Sequence, residues 1–118
     1  MRALAGEQQL VRVFVGESDR WSGQPLWRAL IERLRKEGFA GATVVHGTAG
    51  FGARSVLHTA HILRLSEDLP VLVEIVDSEE RVARLLPILD EMVDEGLVTI
   101  EKVRVIKYAH GKRPPDPA

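Results

Sequence analysis

Two segments of this 118-residue chain are apolar on both faces of a predicted strand. They are Leu10–Val15 and Val71–Val76, where β-branched residues predominate. Because successive side chains of a strand point to opposite faces, such strands are normally covered on both sides. The chain predicts only two helices, and these can cover only one face of a sheet. We therefore expect the second face to be buried by self-association, most simply in a closed symmetric oligomer.

The first helix is predicted to begin near Pro25 and to stop at Gly38, a residue suited to the position after a helix. Charged residues fill one side of this segment, and apolar residues recur at helical spacing on the other. The expected buried stripe consists of Leu26, Trp27, Leu30, Ile31 and Leu34.

The second helix is predicted to be capped by Asp77 or Ser78 and to end at Gly96. Pro87 lies inside it and is expected to kink the helix or split it in two, because proline removes a backbone hydrogen bond. The expected buried stripe consists of Val82, Leu85, Leu86, Leu89 and Val93.

Three further segments have strand character. They are Thr43–His46, Ala60–Leu65 and a last strand from Val98 to about Tyr108, where a change of alternation near Lys102 predicts a bulge. The order βαβ followed by ββαβ predicts an α+β domain, a ferredoxin-like split βαβ sandwich (βαββαβ). We expect an antiparallel sheet with both helices on one face.

The predicted domain covers residues 9–110, between an N-terminal tail of residues 1–8 and a Pro-rich C-terminal tail of residues 111–118. The chain contains no cysteine, which excludes disulfides, zinc–thiolate sites and cysteine nucleophiles. A formal charge of −1 gives no basic field for nucleic acid. No apolar run approaches the roughly 20 residues of a membrane span. We expect a cytoplasmic protein that is not embedded in a membrane.

The segment Gly47–Ser55 is the strongest local candidate for a binding site. Its backbone N–H groups at closely spaced glycines can approach an anion, and an arginine follows them. An aromatic side chain between glycines can stack on a base or dock in a partner, although such glycine-rich tips are often simple turns. The candidate residues are Gly50, Phe51, Gly52 and Arg54.

Other chemistry is less well supported by the sequence. His46, His58 and His61 can contribute to a metal site across a hairpin, or they can make ordinary hydrogen bonds. The chain lacks nucleophile, P-loop and zinc-protease motifs. We therefore expect no enzymatic activity, and a small hydrolase or isomerase is the least favoured hypothesis.

Several motifs resemble the PII-like superfamily of signalling proteins, most closely a PII-like branch of unknown function. The sequence GATVV at 41–45 leads to GFG at 50–52, and LPVLVEIVD follows at 69–77. The stretches HTAHILRLSEDLP at 58–70 and LDEMVDEGLVT at 89–99 match that branch most closely. The resemblance covers about residues 9–110.

The resemblance implies a ferredoxin-like homotrimer that binds adenine nucleotides in clefts between subunits. It also implies that the loop near residues 47–58 contacts a target protein, such as a transporter or an enzyme. On that pattern the cleft is bordered by Gly50, Phe51, Gly52 and Arg54. Lys107 resembles a basic residue that contacts phosphates in the family.

One segment departs from the pattern of true PII proteins, which have a glycine-rich phosphate loop ending in lysine after the second helix. This chain has Asp94 and Glu95 there. Two carboxylates repel a bare triphosphate, so we expect weak or metal-dependent ATP binding and a preference for a less charged nucleotide or another anion. The alternative hypothesis is a metal-binding trimer similar to the CutA branch, with His46, His58 or His61 as ligands.

Overall fold

The computed structural model describes residues 4–51, 68–109 and 111. Strand β1 (Gly6–Gly16) is followed by a short hairpin of β2 (Arg20–Trp21) and β3 (Gln24–Pro25), then by helix α1 (Leu26–Lys36). Next come β4 (Thr43–His46), β5 (Pro70–Asp77), helix α2 (Glu79–Met92) and β6 (Leu97–Val105). The predicted strand Ala60–Leu65 lies outside the described residues.

The main sheet of the described residues has the strand order β4-β5-β1-β6, and every neighbouring pair is antiparallel. Strands β1 and β5 lie at its centre, and β4 and β6 are its edges. This order, with both helices following sheet strands, is the ferredoxin-like arrangement predicted from the sequence. The α+β fold class is therefore confirmed.

The core lies between the two helices and one face of the sheet. This face is formed by the apolar odd-numbered residues of β1 and β5, none of which is more than 5% exposed. They are Val11, Val13, Val15, Val71, Val73 and Ile75. They pack with the apolar stripes of α1 and α2. Each such side chain contributes about 1.5–3 kcal/mol by leaving water, so this layer holds the domain together.

The boundaries of α1 agree with the sequence prediction. Pro25 is the residue before the first helical one, and Gly38, at φ +84°, lets the chain leave the helix in a left-handed conformation. The backbone N–H of Phe39 donates to the carbonyl of Leu34 at 3.2 Å, which satisfies an end of the helix. The fully buried positions are Leu26, Ala29, Leu30 and Leu34, with Trp27 and Ile31 half-buried beside them.

The N-terminus of α2 resolves the choice between its two predicted caps. Ser78 is the cap, and its hydroxyl oxygen accepts from the backbone N–H of Arg81 at 3.2 Å. Asp77 is instead fully buried and accepts from the backbone N–H groups of Ala40 and Ser78, both at 2.8 Å. It therefore joins the connection after α1 to the start of α2.

The remainder of α2 corrects the sequence prediction. The helix is not split at Pro87, which lies inside one element, while a kink there stays a prediction. The helix ends at Met92, four residues before Gly96. Carboxylates at a helix C-terminus are unfavourable, and Asp94 and Glu95 follow this end. The buried stripe consists of Val82, Leu85, Ile88, Leu89 and Met92, whereas Leu86 is 43% exposed.

Two strand boundaries also differ from prediction. β6 ends at Val105 rather than near Tyr108, and its register with β1 is continuous from Phe14–Leu97 to Gly6–Val105, without a bulge at Lys102. The apparent change of alternation arises because this edge strand is largely exposed on both faces. β1 begins at Gly6, so residues 6–8 form strand rather than tail.

No helix among the described residues is long and apolar enough to cross a membrane.

Candidate functional site

The sheet has two ends of different chemistry, and the predicted site residues are divided between them. Gly16 of β1 pairs with Pro70 of β5, and Gly47 hydrogen-bonds to the carbonyl of Pro70, so the glycine-rich loop leaves the sheet at this end. We call this the loop end. At the opposite end Gly6 pairs with Val105, and the chain continues towards Lys107. We call this the tail end.

The glycines of the loop lie close to Pro70. The backbone N–H of Gly47 donates to the carbonyl of Pro70 at 2.8 Å. A Cβ atom at Gly47 would lie 2.7 Å from Cγ of Pro70, and one at Gly50 would lie 3.0 Å from the same atom. A side chain at Gly47 would therefore collide with the proline ring, and one at Gly50 would be in tight contact with it.

Phe51 extends from the base of this loop into solvent. Its side chain is 76% exposed, so it contributes little to the core of its own chain. An exposed aromatic ring beside glycines is suited to stacking on a base or to contact with another protein. Gly52 and Arg54, the other predicted members of the group, lie outside the described residues.

His46, the last residue of β4, is held by two neighbours. Its Nδ1 atom lies 3.1 Å from Oε2 of Glu17, and its ring meets the ring of Trp27 edge to face at a centroid distance of 5.0 Å. These contacts fix the side chain immediately before the loop. No group of three or more metal-ligating side chains occurs among the described residues, and His58 and His61 lie outside them.

Several carboxylates surround the loop end. Asp19 accepts from the backbone N–H of Gly16 at 2.9 Å, and Asp68 accepts from the hydroxyl of Ser18 at 3.3 Å. Asp94 and Glu95 are exposed and come directly before Gly96, where a Cβ atom would lie 2.5 Å from the carbonyl oxygen of Phe14. The close approach of Gly96 to β1 keeps the two carboxylates at this end.

Lys107 lies beyond the other end of the same sheet. β1 contains 11 residues. At about 3.3 Å per residue the two ends are separated by roughly 30 Å. The hydroxyl of Tyr108 donates to the carbonyl of Ala40 at 3.1 Å, which fixes the chain after β6 beside the connection that Asp77 anchors. One chain therefore does not bring Gly50 and Phe51 together with Lys107.

Two features of this region were missed by the sequence analysis. Pro70 was expected only to precede a strand, whereas it supports both loop glycines. Glu17 and Trp27 were not connected with His46, because they come from distant parts of the chain. Only the recurrence of glycines on one side of a strand end hints at such close backbone packing.

The chain matches the model of one protein family over residues 8–105, the family described as DUF190, Uncharacterized ACR, COG1993. A UPF0166 protein of Aquifex aeolicus is 36% identical over 102 residues, which cover 85% of this chain and 94% of that protein.

Solved structures of PII-like proteins share the fold. A PII-like signalling protein from Thermus thermophilus matches with a TM-score of 0.60 and 24% identity, over 86% of this chain and 91% of that one. CPII from Thiomonas intermedia K12, solved with ADP and bicarbonate, matches with a TM-score of 0.62 and 16% identity, over 86% and 90%. Another structure of CPII, a nitrogen regulatory PII-like protein, holds ADP, AMP and bicarbonate. It matches with a TM-score of 0.61 and 14% identity, over 87% of this chain and 97% of that one.

Proposed function

This chain belongs to the DUF190 family, and we propose that it is a PII-like regulatory trimer that senses a small ligand between its subunits. The shared fold and the nucleotides in CPII support a regulatory role of the PII type. The proposed effector is an adenine nucleotide. The proposed output is a contact between the loop near residues 47–58 and a target protein, such as a transporter or an enzyme.

The separation of the sheet ends is the observation that carries this proposal. The loop end provides glycine backbone and exposed Phe51, and the tail end provides Lys107. Because about 30 Å of strand lies between them in one chain, a cleft that uses both requires two chains. In this proposal the loop of one subunit faces Lys107 of the next. The loop residues concerned are Gly50, Phe51, Gly52 and Arg54.

The charge of the loop end supports a preference among nucleotides. Asp94 and Glu95 are exposed there, and the half-buried carboxylates of Asp19 and Asp68 lie at the same end. Each added phosphate increases the repulsion from these groups. We expect affinity to fall from AMP to ADP to ATP without a divalent cation, and Mg²⁺ to reduce the difference.

Calorimetric titration with AMP, ADP and ATP, with and without bicarbonate and Mg²⁺, tests the proposal. Arg54→Ala and Lys107→Ala are each expected to weaken binding by about 1–3 kcal/mol, the value of a charged hydrogen bond. Arg84→Ala is the control, because Arg84 is an exposed residue of α2, with its guanidinium 5.9 Å from the ring centroid of Phe39. Unchanged affinity in both test variants would refute the proposed site. Failure of every nucleotide and anion to bind would favour a role in protein interaction alone.

Phe51→Ala separates the two possible uses of the exposed ring. If Phe51 stacks on the base, nucleotide affinity falls by about 1–3 kcal/mol. If the ring contacts only the target protein, the affinity for nucleotide does not change. The side chain is 76% exposed, so neither result is complicated by loss of the fold.

A further inference from the structure

The sheet face opposite the helices, which we call the open face, contains a charged cluster in otherwise uncharged surroundings. Among the described strand residues, its charged side chains are Arg12 of β1, Glu74 of β5 and Glu101 of β6. Apolar residues lie on both sides of them along the strands. These are Leu10 and Val76 in one direction, and Phe14, Leu72 and Leu97 in the other.

The three charged groups are directly bonded. Nε of Arg12 donates to Oε2 of Glu74 at 2.9 Å, and Nη1 of Arg12 donates to Oε1 of Glu101 at 2.6 Å. The hydrogen bond to Glu74 is the main reason why the pKa of Arg12 is raised above its ordinary value. One cation and two carboxylates give the triplet a net charge of −1.

The triplet retains bonding capacity beyond these two contacts. A guanidinium has five N–H donors, and the described contacts of Arg12 use two of them. Each carboxylate uses one oxygen in these contacts. The side chains of Arg12, Glu74 and Glu101 are 37%, 32% and 56% exposed, so a second surface can reach them.

We propose that the Glu74–Arg12–Glu101 triplet determines how copies of this chain meet across the open face. This inference rests on the trimer of the proposed function and names the polar contact within it. A further copy fits because the same cluster offers both signs of charge, so a carboxylate of one chain can accept from Arg12 of another. The flanking apolar residues supply uncharged surface on both sides of this contact in every copy. A uniformly acidic partner would meet like charge at Glu74 and Glu101 on both sides of the cluster, and a uniformly basic partner would meet like charge at Arg12 in its centre.

Because the triplet has one more carboxylate than cations, we expect removal of the cation to weaken assembly and removal of one carboxylate not to weaken it. Arg12→Met leaves two carboxylates without their cation inside an apolar interface, which is strongly unfavourable. We expect the dissociation constant of the trimer to rise about tenfold or more. Glu101→Gln leaves the neutral pair Arg12–Glu74, so it is expected to leave assembly unchanged or to tighten it. Glu101 is on an exposed edge strand, and this variant is not expected to impair folding.

Arg33→Met is the matched control. Nε of Arg33 lies 3.0 Å from Oε2 of Glu37, and its Nη1 lies 3.8 Å from Oε1 of Glu91, so it also contacts two carboxylates. Its side chain is 33% exposed, close to the 37% of Arg12, but it lies on the helix side of the sheet. We expect no change in the assembly of this variant.

Sedimentation equilibrium of the wild type, Arg12→Met, Glu101→Gln and Arg33→Met chains, with circular dichroism to confirm folding, tests the inference. Weaker assembly of Arg12→Met alone supports it. If Arg12→Met and Arg33→Met assemble equally well, the role of the triplet is overturned but the proposed trimer is not. Weaker assembly of Glu101→Gln has the same consequence. A monomeric wild type overturns both the proposed trimer and this role of the triplet.

Discussion

The helix-covered face and the open face of the sheet alternate along the same strands, yet within the described part of the chain only the covered face packs against helices. On β1 the residues Val11 and Val13 are fully buried, while Arg12 and Phe14 beside them are only half-buried. On β5 the same alternation separates Ile75 from Val76. The comparison teaches that the covered face specifies the fold of one chain, whereas the open face is the surface that the proposed assembly would use.

The largest expected effect compares two neighbouring residues, one on each face. Ile75→Ala removes a fully buried side chain and is expected to lower the free energy of unfolding by about 3 kcal/mol. The free energy that this variant loses should not depend on protein concentration. Val76→Ala is expected to act through assembly, so its effect on the unfolding midpoint should change with protein concentration. Urea unfolding at several concentrations measures both, and the same concentration dependence in the two variants would remove the distinction between the faces.

The next effect concerns the polar group at the end of the covered face. Asp77 is fully buried and accepts backbone N–H groups from Ala40 and Ser78, and its Oδ1 atom lies 3.6 Å from Nε of Arg81. Asp77→Ala leaves these donors without their acceptor, and we expect a loss of about 2–3 kcal/mol. Asp90→Ala, at an exposed position of α2, is the control. Equal thermal stability of the two variants would contradict the anchoring role of Asp77.

A smaller effect on stability, but a clear one on mass, is expected from the open face. Leu72 is half-buried there and pairs with Phe14. The wild type is expected to have a mass of about 39 kDa, three times the 13.1 kDa chain. Leu72→Gln places polar atoms in the proposed interface and should shift the mass towards one chain. Light scattering of Leu72→Gln beside Leu86→Gln, which changes an exposed apolar residue of α2, distinguishes the open face from general surface effects.

The smallest effect concerns the proposed ligand cleft between chains. Asp94→Asn removes one negative charge at the loop end and is expected to raise ATP affinity about fivefold, since a unit charge at about 4 Å in water contributes about 1 kcal/mol. The affinity for AMP should change less. Glu32→Gln, at an exposed position of α1, is the control for general charge effects. Calorimetry that finds equal gains for ATP and AMP would argue against a phosphate position near Asp94.

The fold could be predicted from the sequence because its signals are local. The β-branched alternation of Leu10–Val15 and Val71–Val76 placed the central strands, and the left-handed position of Gly38 was predicted from the glycine itself. The end of α2 was missed because Gly96 is the more visible stop signal, although it instead allows a close approach to β1. The end of β6 was missed because an exposed edge strand has no alternation that marks its last residue.

The candidate site was harder to predict, because its geometry depends on contacts between distant residues. The role of Pro70 beneath Gly47 and Gly50 becomes visible only when β4 and β5 are paired. The roughly 30 Å between the loop end and the tail end follows from the length of β1, which the sequence prediction made too short. The pairing of Arg12 with Glu74 and Glu101 depends on the strand order.

The most direct test of a ligand site shared between chains is complementation in mixed assemblies. Arg54→Ala and Lys107→Ala chains are each titrated with AMP, then unfolded together, refolded and titrated again. In a shared cleft, the loop of a Lys107→Ala chain meets the tail end of an Arg54→Ala chain, and random mixing makes about one cleft in four native. The account predicts that the mixture regains a class of high-affinity sites that neither variant has alone. A mixture that binds only as the average of its two components would contradict a site between chains.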